Sequence, residues 1–431
     1  MINKIMNITL NIIIFLVPIL IIPKGLNIAP YNILKISVLL ICGVILLICL
    51  LLKKNIQLDK VDKALLVFYV LIILSTIFSI NTITSIIGAN NRYEGVLTFT
   101  VYFLTYYCAK YYFEYSKLTK YFAITTICLC SIIGILQYYN IFPLYYIFNI
   151  PFDASFASST FGNRNFFASY LAIVVPTFMA LYITKKQKSY LFVSLLSFFA
   201  IIVSMTRGAW VGIAFASVFG LIYVIKHSSK DIIKRTIHII IGFLVIFIFV
   251  LRPPQFLFNL IPKYTNLDTL NDRIDLMQTE LQTAIENKKV NKSFGSSRIE
   301  IWSMVLNVIV QSPLIGTGPD TLADAILYMD THNAINFMLN HGCHVDKAHN
   351  EYLQIAATIG IPALITYLVF IILICIKEKN LLSNDSTFIL MIPIISYLFQ
   401  AFFNISTIGV APIFWFLLGL VQNEGFKEKL L

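Results

Sequence analysis

Apolar segments of about twenty residues recur along the whole chain and constrain its fold more than any other feature. At a rise of about 1.5 Å per residue, about 20 helical residues cross the roughly 30 Å hydrocarbon core of a bilayer. A helix also pairs its own backbone amides and carbonyls, which lipid cannot do. Twelve candidate spans follow from these lengths: 6–22, 32–52, 64–80, 96–113, 121–138, 165–184, 189–205, 209–225, 236–251, 352–376, 387–403 and 408–422. The sequence therefore predicts an all-α polytopic membrane protein.

Composition supports this class and argues against two others. Of the 431 residues, 58% are hydrophobic and 12% are charged, about half the charged share of a soluble domain. The net charge of +11 does not indicate nucleic-acid binding, because most of the lysines lie in short loops between apolar segments. Such basic loops are typical of the cytoplasmic side of membrane proteins.

The basic loops also predict the topology. Two apolar stretches, 189–225 and 387–422, have lysines on both flanks and must therefore cross the membrane an even number of times. Natural breaks lie at Met205–Gly208 in the first stretch and near Asn404–Gly409 in the second. If both stretches are hairpins, 19 of the 32 basic residues and both termini fall on the cytoplasmic side.

This topology divides the chain into three parts. Transmembrane helices 1–9 occupy residues 1–251, an extracytoplasmic loop occupies 252–350, and transmembrane helices 10–12 occupy 351–431. We expect the loop to form two or three helices that lie over the mouth of a cavity.

Arginine is distributed unevenly across the predicted membrane. The chain has 25 lysines and 7 arginines, and Arg235 is the single arginine in a cytoplasmic cluster. The other six lie on the predicted outer side: Arg92, Arg164, Arg207, Arg252, Arg273 and Arg298. A guanidinium group is a planar fork of donors that matches phosphate and carboxylate oxygens, so this sidedness indicates a phosphate-bearing ligand at the outer face. The alternative is that each arginine pairs with a lipid headgroup or an acidic neighbour.

Two of these arginines have additional support. Arg207 lies at the tip of a hairpin of two short helices, so its charge should sit at or below headgroup level, where an unpaired cation is costly. Arg298 lies in a pattern typical of a capping box, with Ser297 as N-cap and Glu300 at N3. It would then be the first residue of a helix, and helix N-termini bind anions.

Two polar islands at the predicted outer ends of spans carry further arginines. The first is Asn91-Arg92-Tyr93-Glu94-Gly95, in which Arg92 can pair with Glu94. The second is Phe161-Gly162-Asn163-Arg164-Asn165-Phe166. Arg252 and Arg273 have no supporting context, and we expect them to face solvent.

Four of the six histidines fall within residues 331–350. One hypothesis is a metal site, with the ligands His341, Cys343, His344 and Asp346, although the spacing matches no closed zinc pattern. His349 stands apart because it lies where the loop is predicted to re-enter the membrane, near Tyr352. A histidine fixed at a helix end can act as a general base or hydrogen-bonding catalyst, with Glu351 as an alternative base. The other interpretation is an interfacial histidine without a catalytic role.

Four short motifs stand out, one at the tip of the predicted hairpin and three in the loop or at its end. They are Thr206-Arg207-Gly208-Ala209-Trp210, Ser297-Arg298-Ile299-Glu300-Ile301-Trp302, Pro313-Leu314-Ile315-Gly316-Thr317-Gly318-Pro319-Asp320 and Ala348-His349-Asn350-Glu351-Tyr352-Leu353. Together they resemble motifs of the bacterial O-antigen ligase and O-antigen polymerase family, over roughly residues 85–375. His349, followed by ten residues and Gly360, is similar to that family's histidine-to-glycine motif. The family often has leucine four residues after the loop arginine, where this chain has Trp302.

The resemblance implies an all-helical glycosyltransferase of the C type in the bacterial cytoplasmic membrane. Its donor would be a glycan on undecaprenyl diphosphate, without nucleotide sugar, metal or other cofactor. Arg207 and Arg298 would bind the donor diphosphate, with Arg92 or Arg164 assisting. His349 would orient or deprotonate the acceptor hydroxyl, and the anomeric configuration would invert.

The acceptor stays open at this point. A lipid-anchored core would make the protein a ligase, and a second lipid-linked glycan would make it an O-antigen or capsule-type polysaccharide polymerase. A protein Ser or Thr would make it a protein O-oligosaccharyltransferase. A lipid-linked glycan transporter is an alternative from another class, but it predicts ionisable residues near the midplane of the bilayer, where these spans are apolar. A non-catalytic membrane scaffold leaves the sidedness of the arginines unexplained.

Overall fold

A computed structural model describes residues 1–22, 31–54, 56–139, 157–251 and 297–430, together with 275, 278 and 279. Over these residues the chain is all-α, with eighteen α-helices and no strand. The first ten helices are α1 (Ile2–Asn11), α2 (Asn32–Lys53), α3 (Lys60–Ile77), α4 (Thr82–Ile87), α5 (Val96–Tyr112), α6 (Lys117–Tyr138), α7 (Arg164–Lys185), α8 (Lys188–Val203), α9 (Arg207–Lys226) and α10 (Lys230–Leu251). The other eight are α11 (Arg298–Gln311), α12 (Leu322–Met329), α13 (Thr331–His341), α14 (Glu351–Thr358), α15 (Ile361–Lys377), α16 (Asp385–Gln400), α17 (Ala411–Leu420) and α18 (Glu424–Leu430). Arg252 and Arg273 lie outside the described residues.

Within the part of the chain that the structure describes, six helical segments are long and apolar enough to cross a bilayer, judged by length and composition. They are Ile2–Ile19, in which α1 continues through a π turn (Ile12–Leu16), and the helices α2, α6, α7, α9 and α10. Shorter apolar helices are α8, α15, α16 and α17. The all-α prediction is confirmed for the described residues.

The hairpin predicted around Met205–Gly208 is present. Helix α8 ends at Val203 and α9 begins at Arg207. Between them Met205 is left-handed, with φ of 54°, and Thr206 is extended as the N-cap of α9. A left-handed residue ends a helix because its carbonyl no longer follows the helical direction. The second predicted hairpin is also present, since α16 ends at Gln400 and α17 begins at Ala411.

The single span predicted over 352–376 is wrong, because two helices, α14 and α15, occupy this stretch. They meet at Gly360, whose φ of 104° is unfavourable for any residue with a side chain. A Cβ on this glycine would also lie 2.3 Å from the Leu314 carbonyl oxygen. The loop before α12 docks here, and the Gly318 amide donates to the Thr358 carbonyl at 2.8 Å.

The helices pack around two hydrophobic cores. The large core joins α1–α3 and α5–α10 to α15–α18. Helix α7 lies at its centre, because 83% of the residues in its most apolar 18-residue stretch are buried. Helix α10 lies at the edge of the bundle, since only 11% of the residues in its most apolar 18-residue stretch are buried. A smaller core lies between α11, α12, α13 and α14, around side chains such as Val305 and Val308. Helices α11–α13 therefore form a helical cap on the bundle, as expected for the loop, and α14 joins the two cores.

Candidate functional site

Three of the predicted arginines occupy the same position in three different helices. Arg164 is the first residue of α7, Arg207 of α9 and Arg298 of α11. A left-handed residue lies one or two positions before each helix; these residues are Gly162, Met205 and Ser297, with φ of 71°, 54° and 61°. The first turn of a helix has backbone amides without helical partners and the positive end of the helix dipole. Each of these starts therefore combines an anion-binding backbone with a guanidinium group.

Hydrogen bonds hold the starts of α7 and α9 together. The Thr206 hydroxyl lies 3.4 Å from the Arg164 carbonyl oxygen and donates to it. Asn404, in the turn between α16 and α17, donates to the Asn165 carbonyl at 2.9 Å. This turn lies at the same end of the bundle as both arginine-bearing helix starts.

The same turn brings the cap to this end. The Arg298 guanidinium donates through Nη2 to the Phe403 carbonyl at 3.0 Å. Gly208 packs so closely on Phe403 that a Cβ at this position would lie 2.7 Å from the Phe403 Cβ. Burial lowers the pKa of Arg298, and the neighbouring charge of Arg207 lowers it further. The structure therefore brings Arg207 and Arg298 together across the junction of cap and bundle.

His349 is held in an unusual backbone conformation, close enough to Arg298 to feel its charge. Its φ of 48° is left-handed, and non-glycine residues in such strained conformations cluster at functional sites. The preceding residue is fixed on both sides, because Trp302 donates to the Ala348 carbonyl at 2.9 Å and Gln354 accepts from the Ala348 amide at 2.8 Å. The following residue, Asn350, caps α14 by accepting two amide hydrogen bonds of 3.0 Å.

The surroundings of His349 favour its neutral form. Burial lowers its pKa to about 4, and the positive charges of Arg298, Arg92 and Lys347 act in the same direction. The Asp346 carboxylate opposes this shift without reversing it. The imidazole is therefore neutral near pH 7 and has a ring nitrogen available to accept a proton or a hydrogen bond.

Arg92 joins the same region through a different acidic partner than predicted. Its Nε donates to the Asp346 carboxylate at 2.7 Å, and the two side chains form an ion pair. The predicted pairing of Arg92 with Glu94 is therefore wrong, because Glu94 pairs with Lys347 at 3.0 Å. The Arg92 guanidinium also lies 5.4 Å from the centre of the Phe166 ring in the first turn of α7.

Lys347 was missed by the sequence analysis, although it lies two residues before His349. Its side chain is 2% exposed and forms ion pairs with Glu94 at 3.0 Å and Asp320 at 2.6 Å. Burial lowers the pKa of Lys347, but the two carboxylates raise it above its ordinary value. Asp320 also accepts a hydrogen bond of 2.6 Å from the Ala89 amide. We call Glu94, Asp320 and Lys347 the buried clamp, because they join the segments before α5, α12 and α14.

A small cavity of about 40 Å³ with a mixed apolar and polar lining lies beside the clamp. Its polar lining includes Glu351 and Ser406. The Glu351 carboxylate accepts a hydrogen bond of 3.0 Å from the Tyr397 hydroxyl, inside the bundle. Glu351 therefore faces α16 and is less suited than His349 to act as the base beside the arginines.

Lys35 is a second residue that the sequence analysis missed. It lies in the apolar helix α2, is 1% exposed, and donates to the carbonyls of Pro18 at 3.2 Å and Thr160 at 2.8 Å. Its amine also lies 4.6 Å from the centre of the Phe161 ring. Lys35 therefore anchors the turn that leads into Arg164. A lysine inside an apolar span is the signal that could have identified it.

The predicted capping box at Ser297 is wrong. Ser297 is the N-cap of α11, but it is left-handed and its side chain makes no capping hydrogen bond, whereas a bonded N-cap is usually extended. The Glu300 carboxylate instead contacts His341 Nε2 at 3.2 Å. No group of three or more His, Cys, Asp or Glu residues in the described part of the chain could hold a metal ion, the His341–Asp346 segment included.

Comparison with known proteins identifies one domain within this architecture. The O-antigen ligase family matches residues 192–368, which include Arg207, Arg298 and His349. No curated protein matches the chain. Residues 192–368 therefore form an O-antigen ligase domain, and the described part of the chain has several helices long and apolar enough to cross a membrane.

Proposed function

We propose that the protein transfers a glycan from an undecaprenyl-diphosphate donor to an acceptor hydroxyl at the outer face of the bacterial cytoplasmic membrane. The O-antigen ligase domain implies a glycosyltransferase of the ligase or polymerase type. One observation supports this reaction most directly: two arginine-bearing helix starts meet beside a histidine whose pKa is lowered to about 4.

Arg207 and Arg298 bind the donor diphosphate in this mechanism. Both are first residues of helices, so guanidinium donors and free backbone amides face the same anion. Diphosphate leaves the anomeric carbon with the electron pair of the broken C–O bond, and its oxygens gain negative charge. Fixed positive groups at this position stabilise the transition state more than the ground state. Arg164 lies close enough to assist from the start of α7, and Arg92 assists from beside His349.

His349 prepares the acceptor. Its neutral ring nitrogen accepts the proton of the attacking hydroxyl while the acceptor oxygen bonds to the anomeric carbon. Attack opposite the leaving diphosphate inverts the anomeric configuration. The bonds on Ala348 and Asn350 fix the backbone on both sides of the histidine, which limits its motion relative to the reacting atoms.

The same proposal assigns the topology. Twelve transmembrane helices would place both termini in the cytoplasm, with helices 1–9 in residues 1–251 and helices 10–12 in 351–431. Residues 252–350 would form the extracytoplasmic part. Because α7 and α9 both start at the candidate site and α8 returns between them, their arginines share one end of the bundle. The clusters Lys185–Lys188 and Lys226–Lys234 lie at the other end, as the excess of positive charge on the cytoplasmic side requires.

Transfer from a purified undecaprenyl-diphosphate glycan in proteoliposomes tests the proposal. Wild type should consume donor, and both Arg207→Ala and His349→Ala should lose turnover while they keep the wild-type unfolding profile. Matched controls are Arg235→Ala, at the other end of the bundle, and His332→Ala, which is exposed on α13. Both controls should retain turnover.

The outcomes of this experiment separate the alternatives. Single or multiple additions in the product size distribution distinguish a ligase from a polymerase, and a labelled protein would identify an O-oligosaccharyltransferase. If the Arg207 and His349 variants turn over donor as fast as wild type, the proposed site is wrong. If wild type moves the donor between leaflets without consuming it, the protein is a transporter.

A further inference from the structure

A larger cavity, of about 190 Å³, lies in the half of the bundle away from the candidate site. Helix α7 starts at the site with Arg164, and the α7 residues that line this cavity run from Tyr170 to Leu181. At about 1.5 Å per residue, this wall is about 16 Å long. Most of the remaining lining is apolar and comes mainly from α6, α16 and α17, with side chains such as Ile127 and Leu417.

The cavity opens on the side of the bundle. Its partly exposed lining residues include Phe15 in the π turn and Ala123 and Ile124 on α6. These two elements therefore border an opening that faces the membrane. The neighbouring side of α6 also faces lipid, since Leu129 is 44% exposed.

A positive charge lies at the end of the cavity farthest from the candidate site. Lys120, in the first turns of α6, lines the cavity, and its amine donates to Gln187 Oε1 at 2.5 Å. The amine also lies 4.9 Å from the centre of the Tyr190 ring. Both partners are neutral, and none of the ion pairs found among the described residues includes Lys120. Lys117 and Lys188, which begin α6 and α8, add positive charge at the same end.

An apolar cavity of this size does not fill readily with water. A cavity of about 150 Å³ lined by aliphatic and aromatic side chains stays dry in a soluble protein and binds small apolar molecules instead. In a bilayer the abundant apolar ligand is the hydrocarbon chain of a lipid. The length of about 16 Å also equals about one leaflet, half of the roughly 30 Å hydrocarbon core.

We propose that this cavity binds an acyl chain of an anionic phospholipid from the leaflet that lies away from the candidate site. The chain enters between the π turn and α6, and the lipid phosphate lies at Lys120. The Lys120 amine, for which no ion pair is found among the described residues, favours an anionic headgroup over a zwitterionic one. The site is independent of the proposed transferase reaction, since none of its residues belongs to the arginine and histidine cluster.

Photo-cross-linking in bicelles tests the site directly. The probe is phosphatidylglycerol with a diazirine in the middle of one acyl chain, and peptide mass spectrometry locates the labels. We expect labels concentrated on the lining residues of α6, α7 and α17, and competition by unlabelled phosphatidylglycerol rather than phosphatidylcholine. Lys120→Gln should weaken the preference for phosphatidylglycerol about fivefold.

A variant that blocks the opening of the cavity provides the second measurement. Ala123→Trp places an indole in the opening and should abolish labelling of the lining residues, whereas Leu129→Trp on the lipid-facing side of α6 should leave it unchanged. The wild-type label map and the Lys120→Gln result decide the question even if Ala123→Trp does not fold. Three results would overturn the proposal. One is labelling of lipid-facing α10 as strong as that of the lining residues, and another is competition by phosphatidylcholine as strong as that by phosphatidylglycerol. The third is displacement of the probe by undecaprenyl phosphate but not by unlabelled phosphatidylglycerol. Donor turnover is measured separately, so failure here leaves the transferase proposal standing.

Discussion

Replacement of Lys347 by Met should destabilise the junction between cap and bundle more than any surface change. Lys347 is 2% exposed, and its partners Glu94 and Asp320 are 6% and 0% exposed. Methionine keeps most of the length of the side chain but leaves two buried carboxylates without their cation. Breaking a buried pair in this way typically costs about 3–5 kcal/mol, because a buried charge loses its compensation.

The measurement is unfolding of the purified protein in detergent, with hydrogen exchange to locate the change. Lys347→Met should shift the unfolding midpoint strongly and speed amide exchange in residues 345–350. The additional change Glu94→Gln should cost less in the Lys347→Met background than in wild type, because it removes a charge that is already unpaired.

Lys186→Met is the matched control for this change. Lys186 pairs with Asp231 at 2.5 Å, a distance as short as those in the buried clamp, but both side chains are 64% exposed. Solvent screens such a pair, so its loss should leave the unfolding midpoint nearly unchanged. If Lys347→Met and Lys186→Met unfold alike, burial does not give the clamp its strength and the reasoning fails.

Three further predictions concern the candidate site. Because the pKa of His349 is lowered to about 4, its imidazole stays neutral in mild acid. The rate of donor consumption should therefore fall as the pH drops through about 4, rather than through about 6.5, the ordinary pKa of histidine. A fall centred near 6.5 would contradict this. Arg207→Lys keeps the positive charge but loses the bidentate fork of the guanidinium group. Turnover should therefore fall about tenfold or more, because a hydrogen bond to a charged group is worth about 1.5–3 kcal/mol. Unchanged turnover would exclude bidentate binding. Trp302→Phe removes the bond to the Ala348 carbonyl and should destabilise this segment by about 1 kcal/mol, seen as faster exchange at residues 345–350.

Local patterns in the sequence predicted the parts of the structure that depend on local forces. The long apolar segments became helices, and the polar Thr206-Arg207 pair interrupted one of them at the predicted place. Hydrophobicity runs through Gly360, with Ile359 and Ile361 on either side, so the length rule predicted one span there. The break depends on a loop that docks from elsewhere in the chain and on a backbone conformation that hydropathy does not register.

The sequence indicated the residues of the candidate site, but not the hydrogen bonds and ion pairs that hold them in place. Arg207, Arg298 and His349 were identified from motifs, and the structure brings their segments together. One of the two partners of Lys347, Glu94, lies 253 positions away, and nothing local indicates which carboxylates Lys347 meets. The Ser297–Glu300 pattern predicted a capping box, but Glu300 contacts His341 of α13 instead. Long-range contacts overrode local preference in both cases.

Two parts of the chain contribute to the proposed chemistry, and their relative position decides whether it works. The bundle carries Arg164 and Arg207 at the starts of its helices, whereas Arg298 and His349 belong to the cap and its junction. Displacing His349 from the arginines would require opening the ion pairs of the buried clamp and the Arg92–Asp346 pair, in surroundings where unpaired charges are costly. The relative position of the proposed base and the proposed diphosphate-binding groups would therefore be set when the protein folds. Charge that develops on the diphosphate then meets positive groups that need not reorganise, which is the condition under which electrostatic stabilisation is largest.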